Sequence, residues 1–290
     1  MSYPDPLSSI HNPRVQAALG LRTSRERRIR GLMLIDGARE IDRAASSGVG
    51  FRELFVSQEL LDHAGKDAKR ALHAATVAGG SIVAVTAELM GRMAFGDRSD
   101  GVLAVAVQPG ATLDGLDLPH EPIVAVVEAV EKPGNLGALL RSADGAGLDA
   151  VIVADPLSDP WNPNAIRASL GTVFSVPLAV TDAPGAQAWL AAQGIRTVVT
   201  LVDAPVAYTD ADLTGGVAIV LGSEADGLSA IWRDGSATEV HIPMRGIADS
   251  LNVSASAAVL FYEALRQRIA ATTPSKRTTS SATAARPRPR

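Results

Sequence analysis

Two α/β domains are predicted, a small one over residues 31–110 and a larger one over 123–270 with a parallel sheet covered on both faces. Three observations lead there. Short strand-like runs alternate with helical stretches along both halves of the chain. In the second half those runs are apolar almost throughout (IVAVVE at 123–128, AVIV at 150–153, VAIVL at 217–221), as strands buried on both faces are. Between the halves, Pro109-Gly110 and the polar, turn-rich stretch 111–122 read as a linker.

The elements follow in order. The first 30 residues carry six Arg and read as a basic N-terminal arm. A strand at 31–35 is stopped by Asp36-Gly37, and a helix at 38–47 is closed by Gly48. A strand at 51–56 leads to one amphipathic helix at 60–78, which Gly79-Gly80 ends. Strands at 81–85 and 102–107 flank a short helix at 87–93. In the second half, strands are expected at 123–128, 150–153, 197–201, 217–221 and 240–242. Helices are expected near 136–147, 163–171, 184–193 and 252–269. Residues 271–290, rich in Ser, Thr, Pro and Arg, lack the apolar material to pack and read as a disordered basic tail.

Composition narrows the function classes. Of 290 residues, 47% are apolar and 20% charged, enough for a sizeable core. No apolar run approaches the ~20 residues that span a bilayer. The start MSYPDPLSSIHNPR lacks a secretory h-region, so a cytoplasmic protein with no membrane partner is expected. Absence of cysteine removes disulfides, zinc ribbons, Fe–S clusters and thiol catalysis. Five scattered His with no H-E-x-x-H argue against a metal site. Neither G-x-G-x-x-G after the first strand of the larger domain nor a P-loop is present. Aromatic content of 4% argues against a base-stacking sheet. The net charge of −4 hides +4 on residues 1–30 and +5 on 271–290, leaving −13 on the 240 between. Basic ends on an acidic body suit contact with a polyanion, although a solvated basic face would carry the same charge.

Three segments could carry chemistry, each following a strand of the larger sheet, where ligands of open α/β folds collect. The first is E-K-P-G-N-L-G-A-L-L-R-S at 131–142. Gly134 and Gly137 could let backbone approach a ligand, Asn135 could cap the next helix, and Arg141 lies two turns along it. The second, V-A-I-V-L-G-S-E-A-D-G-L-S at 217–229, runs a buried strand into a Gly-bounded turn carrying Glu224. The third, from Ile242 through Met244, Ser250 and Asn252 into S-A-S-A-A at 254–258, leads a strand through a loop to a helix of small residues. Each alone would also suit an ordinary capped helix or turn.

In that order, N-x-G-x-x-x-R, L-G-S-E-x-x-G-L and I-P-M…S-L-N-V-S-x-S-A-A resemble the three motifs of the SpoU/TrmH branch of the SPOUT RNA methyltransferases. The resemblance runs from Val124 to about Arg268 and includes R-A-S-x-G at 167–171. The N-terminal half resembles the family's L30e-like RNA-binding domain, with Asn12-Pro13-Arg14 and 32–37 at its start. The resemblance implies methyl transfer from S-adenosylmethionine to a ribose 2′-hydroxyl, a deep trefoil knot and an active site built at a homodimer interface. It assigns Arg141, Asn135, Glu224, Ser250 and Asn252 to catalysis, and Leu221, Gly222, Ile242, Met244 and Leu251 to the cofactor. RNA contacts are expected from Asn12, Arg14, Arg25, Arg27, Arg28 and Arg30, and from Arg98 in the loop 95–101. The N-terminal extension resembles that of members acting on 23S rRNA, including some that confer antibiotic resistance. A tRNA substrate and a non-catalytic RNA-binding or ribosome-assembly factor stay open as alternatives.

Overall fold

The computed structural model describes residues 5–95 and 100–272. The expected loop arginine Arg98 and nearly all of the expected 271–290 tail lie outside the described residues.

Residues 5–30 pack onto the smaller domain. They contain α1 (Pro13–Gly20) and α2 (Ser24–Arg30). Val15, Ala18 and Leu21 are spaced to form one apolar stripe, and all three are buried against Leu34, Phe55 and Leu103. That burial, which a charge count does not register, fixes the helix. Gly31, at φ +61, ends α2 and turns the chain into β1 (Leu32–Asp36). The smaller domain continues with α3 (Ala38–Ser46), β2 (Phe51–Val56), α4 (Gln58–Ala64), α5 (Lys66–Val77), β3 (Ser81–Ala84), α6 (Ala87–Met93) and β4 (Val102–Val107). The single helix expected at 60–78 is two, because Gly65 between them sits at φ +84, where other residues are strained. The sheet order is β1-β4-β2-β3, with β4 antiparallel to both neighbours and β2 parallel to β3.

The linker is docked. Ala111 O accepts from Val180 N–H at 3.0 Å, and Leu113, Leu116 and Leu118 pack on the larger domain's core. There follow β5 (Ile123–Glu128), α7 (Pro133–Ala146), β6 (Ala150–Ala154), α8 (Pro163–Ala168), β7 (Leu178–Thr181) and α9 (Ala183–Ala192). Then come β8 (Arg196–Thr200), β9 (Val206–Ala207), β10 (Val217–Leu221), β11 (Thr238–His241) and α10 (Val253–Thr272). All pairings in the sheet, ordered β7-β6-β5-β10-β8-β11-β9, are parallel. Alternate residues feed two cores: Ile123, Ala125 and Val127 face the α7, α8 and α10 side, whereas Val124 and Val126 face α9. Edge strands β7 and β9 were not expected; at four and two residues they are too short for an apolar run to stand out. Helix α8 stops early because Leu170 (φ +55) and Gly171 (φ +83) turn left-handed. Among the described residues no helix is long and apolar enough to cross a membrane.

The domains abut through α8 and β1. Asp36 is buried there, accepts the Phe95 N–H at 2.6 Å and lies 3.6 Å from Arg167. Burial pushes its carboxyl above the ordinary value despite these favourable contacts, and does the same for Glu40 nearby. A raised carboxyl holds its proton more tightly in the folded chain than in the unfolded one. Its contribution to stability is therefore full below the ordinary carboxylate range and is lost as pH rises through the raised value. Asp36→Asn is expected to raise the melting temperature at pH 8 and to change it little at pH 4. A variant less stable than wild type at pH 8 would contradict this.

Candidate active site

A cleft opens at the carboxyl ends of β8, β10 and β11, where the strand order departs from sequence order. Loops after parallel strands converge at such a point.

Helix α7 begins at Pro133 with Lys132 as its cap, so Asn135 lies inside the first turn and does not cap it. Gly137 does not face a ligand. A Cβ there would fall 2.5 Å from Ala165 O, 2.6 Å from Ala168 Cβ and 2.8 Å from Ser169 N, so this glycine lets α7 cross α8 closely. The Asn135 amide donates to Glu224 Oε1, and the Asn252 amide reaches the same oxygen at 3.4 Å. Asn252 Oδ1 accepts from Ser254 N–H at 3.0 Å and Ser254 O–H at 2.6 Å, capping α10. One carboxylate thus joins the first turns of two helices, α7 and α10, from segments far apart in the chain.

Gly222 closes the turn that carries Glu224. Ser223 and Gly227 exchange backbone hydrogen bonds at 3.1 and 3.2 Å, and a Cβ on Gly222 would meet Gly227 C at 2.2 Å. The turn is tethered below by Glu128, which is buried and accepts from Ser229 N–H at 2.8 Å and Ser229 O–H at 2.6 Å. Sequence reasoning passed over Glu128, although a carboxylate ending an otherwise apolar strand was a usable signal. Glu128→Ala would remove the acceptor of both Ser229 donors, at about 0.5–1.5 kcal/mol for each hydrogen bond. It is expected to lower thermal stability and loosen the turn, which hydrogen exchange at Ser229 would detect.

Leu221, Gly222, Glu224, Ile242, Met244, Ser250 and Leu251 all line the cleft. Thr200, Leu201, Val202, Asp249, Val253 and Ser256 also line it and were not anticipated. Position at a strand end was the only signal for the first three. Arg141 does not line the cleft. It lies on the exposed face of α7, with no hydrogen bond or ion pair to the described residues. Among the described residues no group of three His, Asp or Glu could hold a metal ion.

The expected RNA-binding side chains disperse. Asn12 caps α1 by accepting from Arg14 N–H, and Arg14 Nε pairs with Glu53 at 2.8 Å. Arg30 donates to Ala17 O at 2.6 Å, while Arg25 and Arg28 are exposed. Arg27 is buried and unavailable to a ligand, because its guanidinium is bound to Asp159 of the larger domain. Arg52, not anticipated, joins Arg14 and Arg30 around a groove floored by Leu32 and Val105.

Comparison with known proteins adds the following. Residues 122–262 match the model of the SpoU rRNA Methylase family, and residues 12–104 that of an MRM3-like substrate binding domain. The chain is 33% identical to the 23S rRNA (uridine(2479)-2′-O)-methyltransferase of Streptomyces viridochromogenes over 274 residues, 89% of this chain and 91% of that one. It is 38% identical to the 23S rRNA (guanosine-2′-O-)-methyltransferase RlmB of Vibrio parahaemolyticus over 201 residues, 67% of this chain and 81% of that one. The crystal structure of the SpoU methyltransferase AviRb from Streptomyces viridochromogenes, in complex with the cofactor AdoMet, superposes with a TM-score of 0.80. It is 31% identical, with 89% of this chain and 100% of that one covered.

Proposed function

Because this chain belongs to the SpoU rRNA methylase family, we propose that it transfers the methyl of S-adenosylmethionine to a ribose 2′-hydroxyl of 23S rRNA. The observation that carries this reading is the joining of Asn135 and Asn252 to Glu224, which lines the cleft on a turn whose first glycine, Gly222, has no room for a side chain.

The cleft fits the cofactor. Apolar Leu221, Ile242 and Leu251 offer surface for a nucleoside, and the polar groups of Ser250 and Glu224 stand beside them for its amino-acid end. When bound, the cofactor supplies a methyl already activated on a sulfonium. A ribose hydroxyl is a poor nucleophile, so the protein's task is to align it and stabilise the charge that develops on its oxygen. Asn135 and Asn252 hold the Glu224 loop at the cleft mouth. Arg141 offers a planar guanidinium with five N–H donors and no acceptor. It serves as a clamp on the adjacent phosphate and on the developing alkoxide, not as a base.

Arg141 stands exposed and outside the cleft of its own chain, which supports a homodimer in which Arg141 of the partner subunit completes each site. A trefoil knot is part of the reading. The chain leaves β8, pairs at the edge as β9, returns as β10 between β5 and β8, and leaves again as β11 between β8 and β9. The smaller domain is assigned an L30e-like RNA-binding role, with Arg25, Arg28 and the Arg14, Arg30 and Arg52 groove as phosphate contacts. Such an enzyme works in the cytoplasm, where bacterial rRNA is made.

Labelled S-adenosylmethionine, offered with unmodified 23S rRNA and with bulk tRNA, tests this. Label in alkali-resistant dinucleotides from 23S rRNA is the expected result, since only a blocked 2′-hydroxyl resists alkali. Label confined to tRNA would move the substrate. Cofactor binding with no transfer to naked or ribosomal RNA would favour a non-catalytic factor.

A further inference from the structure

We propose that Arg27 is a positioning residue: its pair with Asp159 locks the smaller domain in the orientation that presents bound RNA to the cleft. The inference rests on the methyltransferase reading above.

Arg27 comes from a helix of sequence SRERRIR, yet it is 1% exposed. Every nitrogen of its guanidinium is engaged. Nε donates to Asp159 Oδ1 at 3.3 Å and Nη2 to Asp159 Oδ2, a two-pronged pair across 132 positions of sequence. Nη1 donates to Leu21 O at 2.8 Å and Arg22 O at 2.9 Å, which holds the side chain in place from its own domain. Arg is suited to this because its planar fork presents fixed donors in two directions; Lys could not reach all four acceptors.

A second bridge joins the domains, and Arg22 braces its Phe95 end from within the smaller domain. Arg167 of α8 donates to Phe95 O, and Arg22 donates to Met93 O at 2.8 Å while stacking 4.6 Å over the Phe95 ring. Beyond them, Arg43 donates to Leu170 O at 2.9 Å. Buried apolar residues of both domains form one continuous cluster, so the junction is packed as well as paired. Domains joined by a linker move relative to one another by default unless such an interface holds them.

The lock leads to the site. Asp159 lies in the segment between β6 and α8, and α8 is pressed against α7 at Gly137, two residues from Asn135. On the other side, α2 turns Arg27 inward and Arg25 and Arg28 outward to solvent. One short helix therefore connects the proposed RNA contacts to the catalytic domain. A buried ion pair is weak evidence for stability in itself, since desolvation offsets the attraction. Its value here is geometric: a misplacement of about 1 Å at a reacting centre can cost about 10²-fold in rate.

The test uses the full-length protein with Asp159→Ala and Arg27→Met. Asp159→Ala leaves the buried Arg27 cation without its carboxylate, which destabilises the fold. Arg27→Met removes that charge, keeps a side chain of similar length in the same space and leaves Asp159 partly exposed to water, so it carries the decision. The expected result is a fall in kcat of about tenfold or more on 23S rRNA, with KM for RNA and Kd for S-adenosylmethionine within about threefold of wild type. A smaller fall in kcat overturns the lock, and so does a fall matched by an equal loss of cofactor affinity. A wild-type enzyme silent on every RNA would instead overturn the methyltransferase reading, and the lock with it.

Discussion

Arg141→Ala is expected to lower kcat for ribose methylation by about 10²-fold or more, the usual effect of removing a donor aimed at developing charge. Affinity for S-adenosylmethionine should stay within twofold, because Arg141 does not line the cleft of its own chain. Folding should be unaffected, since the side chain is exposed and has no hydrogen bond or ion pair to the described residues. Arg141→Lys should recover only part of the rate, as an ammonium cannot hold phosphate and alkoxide with one planar fork. Activity within a few-fold of wild type in Arg141→Ala would remove the clamp from the mechanism.

Gly222→Val is expected to abolish cofactor binding at concentrations that saturate the wild type. A Cβ at this position would lie 2.2 Å from Gly227 C, 2.3 Å from Gly227 O and 2.5 Å from Leu228 N. These are backbone atoms that no side-chain rotation can move aside. The turn itself would have to shift, yet it is held by the Ser223 and Gly227 hydrogen bonds and by Ser229 on buried Glu128. Isothermal titration with S-adenosylmethionine reads the loss, and tight binding by the variant would dissociate Gly222 from the cofactor site. The two variants together also test the dimer. If Arg141 acts in the partner's site, co-refolding equal amounts of inactive Arg141→Ala and inactive Gly222→Val chains should restore about a quarter of wild-type activity. Two silent variants that stay silent when mixed would place Arg141 in its own chain's site.

Much of the fold was legible because its signals are local. Central strands such as β5 and β10 are apolar on both faces, which the sequence displays directly. Edge strands β7 and β9, four and two residues long, are too short for that signal to stand out, and the split of α4 from α5 depends on one glycine's backbone angle. For the site, Gly222, Glu224 and Asn252 could be singled out from motif order. Glu128 could be marked only as a carboxylate ending an apolar strand, since the donors it answers lie 101 positions away.

The arginines of α2 mark the boundary most clearly. Sequence by itself determined that the N-terminal segment is basic, that the larger domain is a parallel α/β sheet, and that three loops carry its candidate chemistry. Only tertiary structure decided which arginine faces which way. Composition counts Arg25, Arg27 and Arg28 alike, yet burial and one carboxylate of the other domain take Arg27 out of solvent. The same holds for Gly137 and Asn135, a helix crossing and a loop anchor in place of a ligand contact and a cap. Strand and helix periods are written in neighbouring residues, whereas the partner of a charge or the space at a glycine is set by segments that only folding brings together.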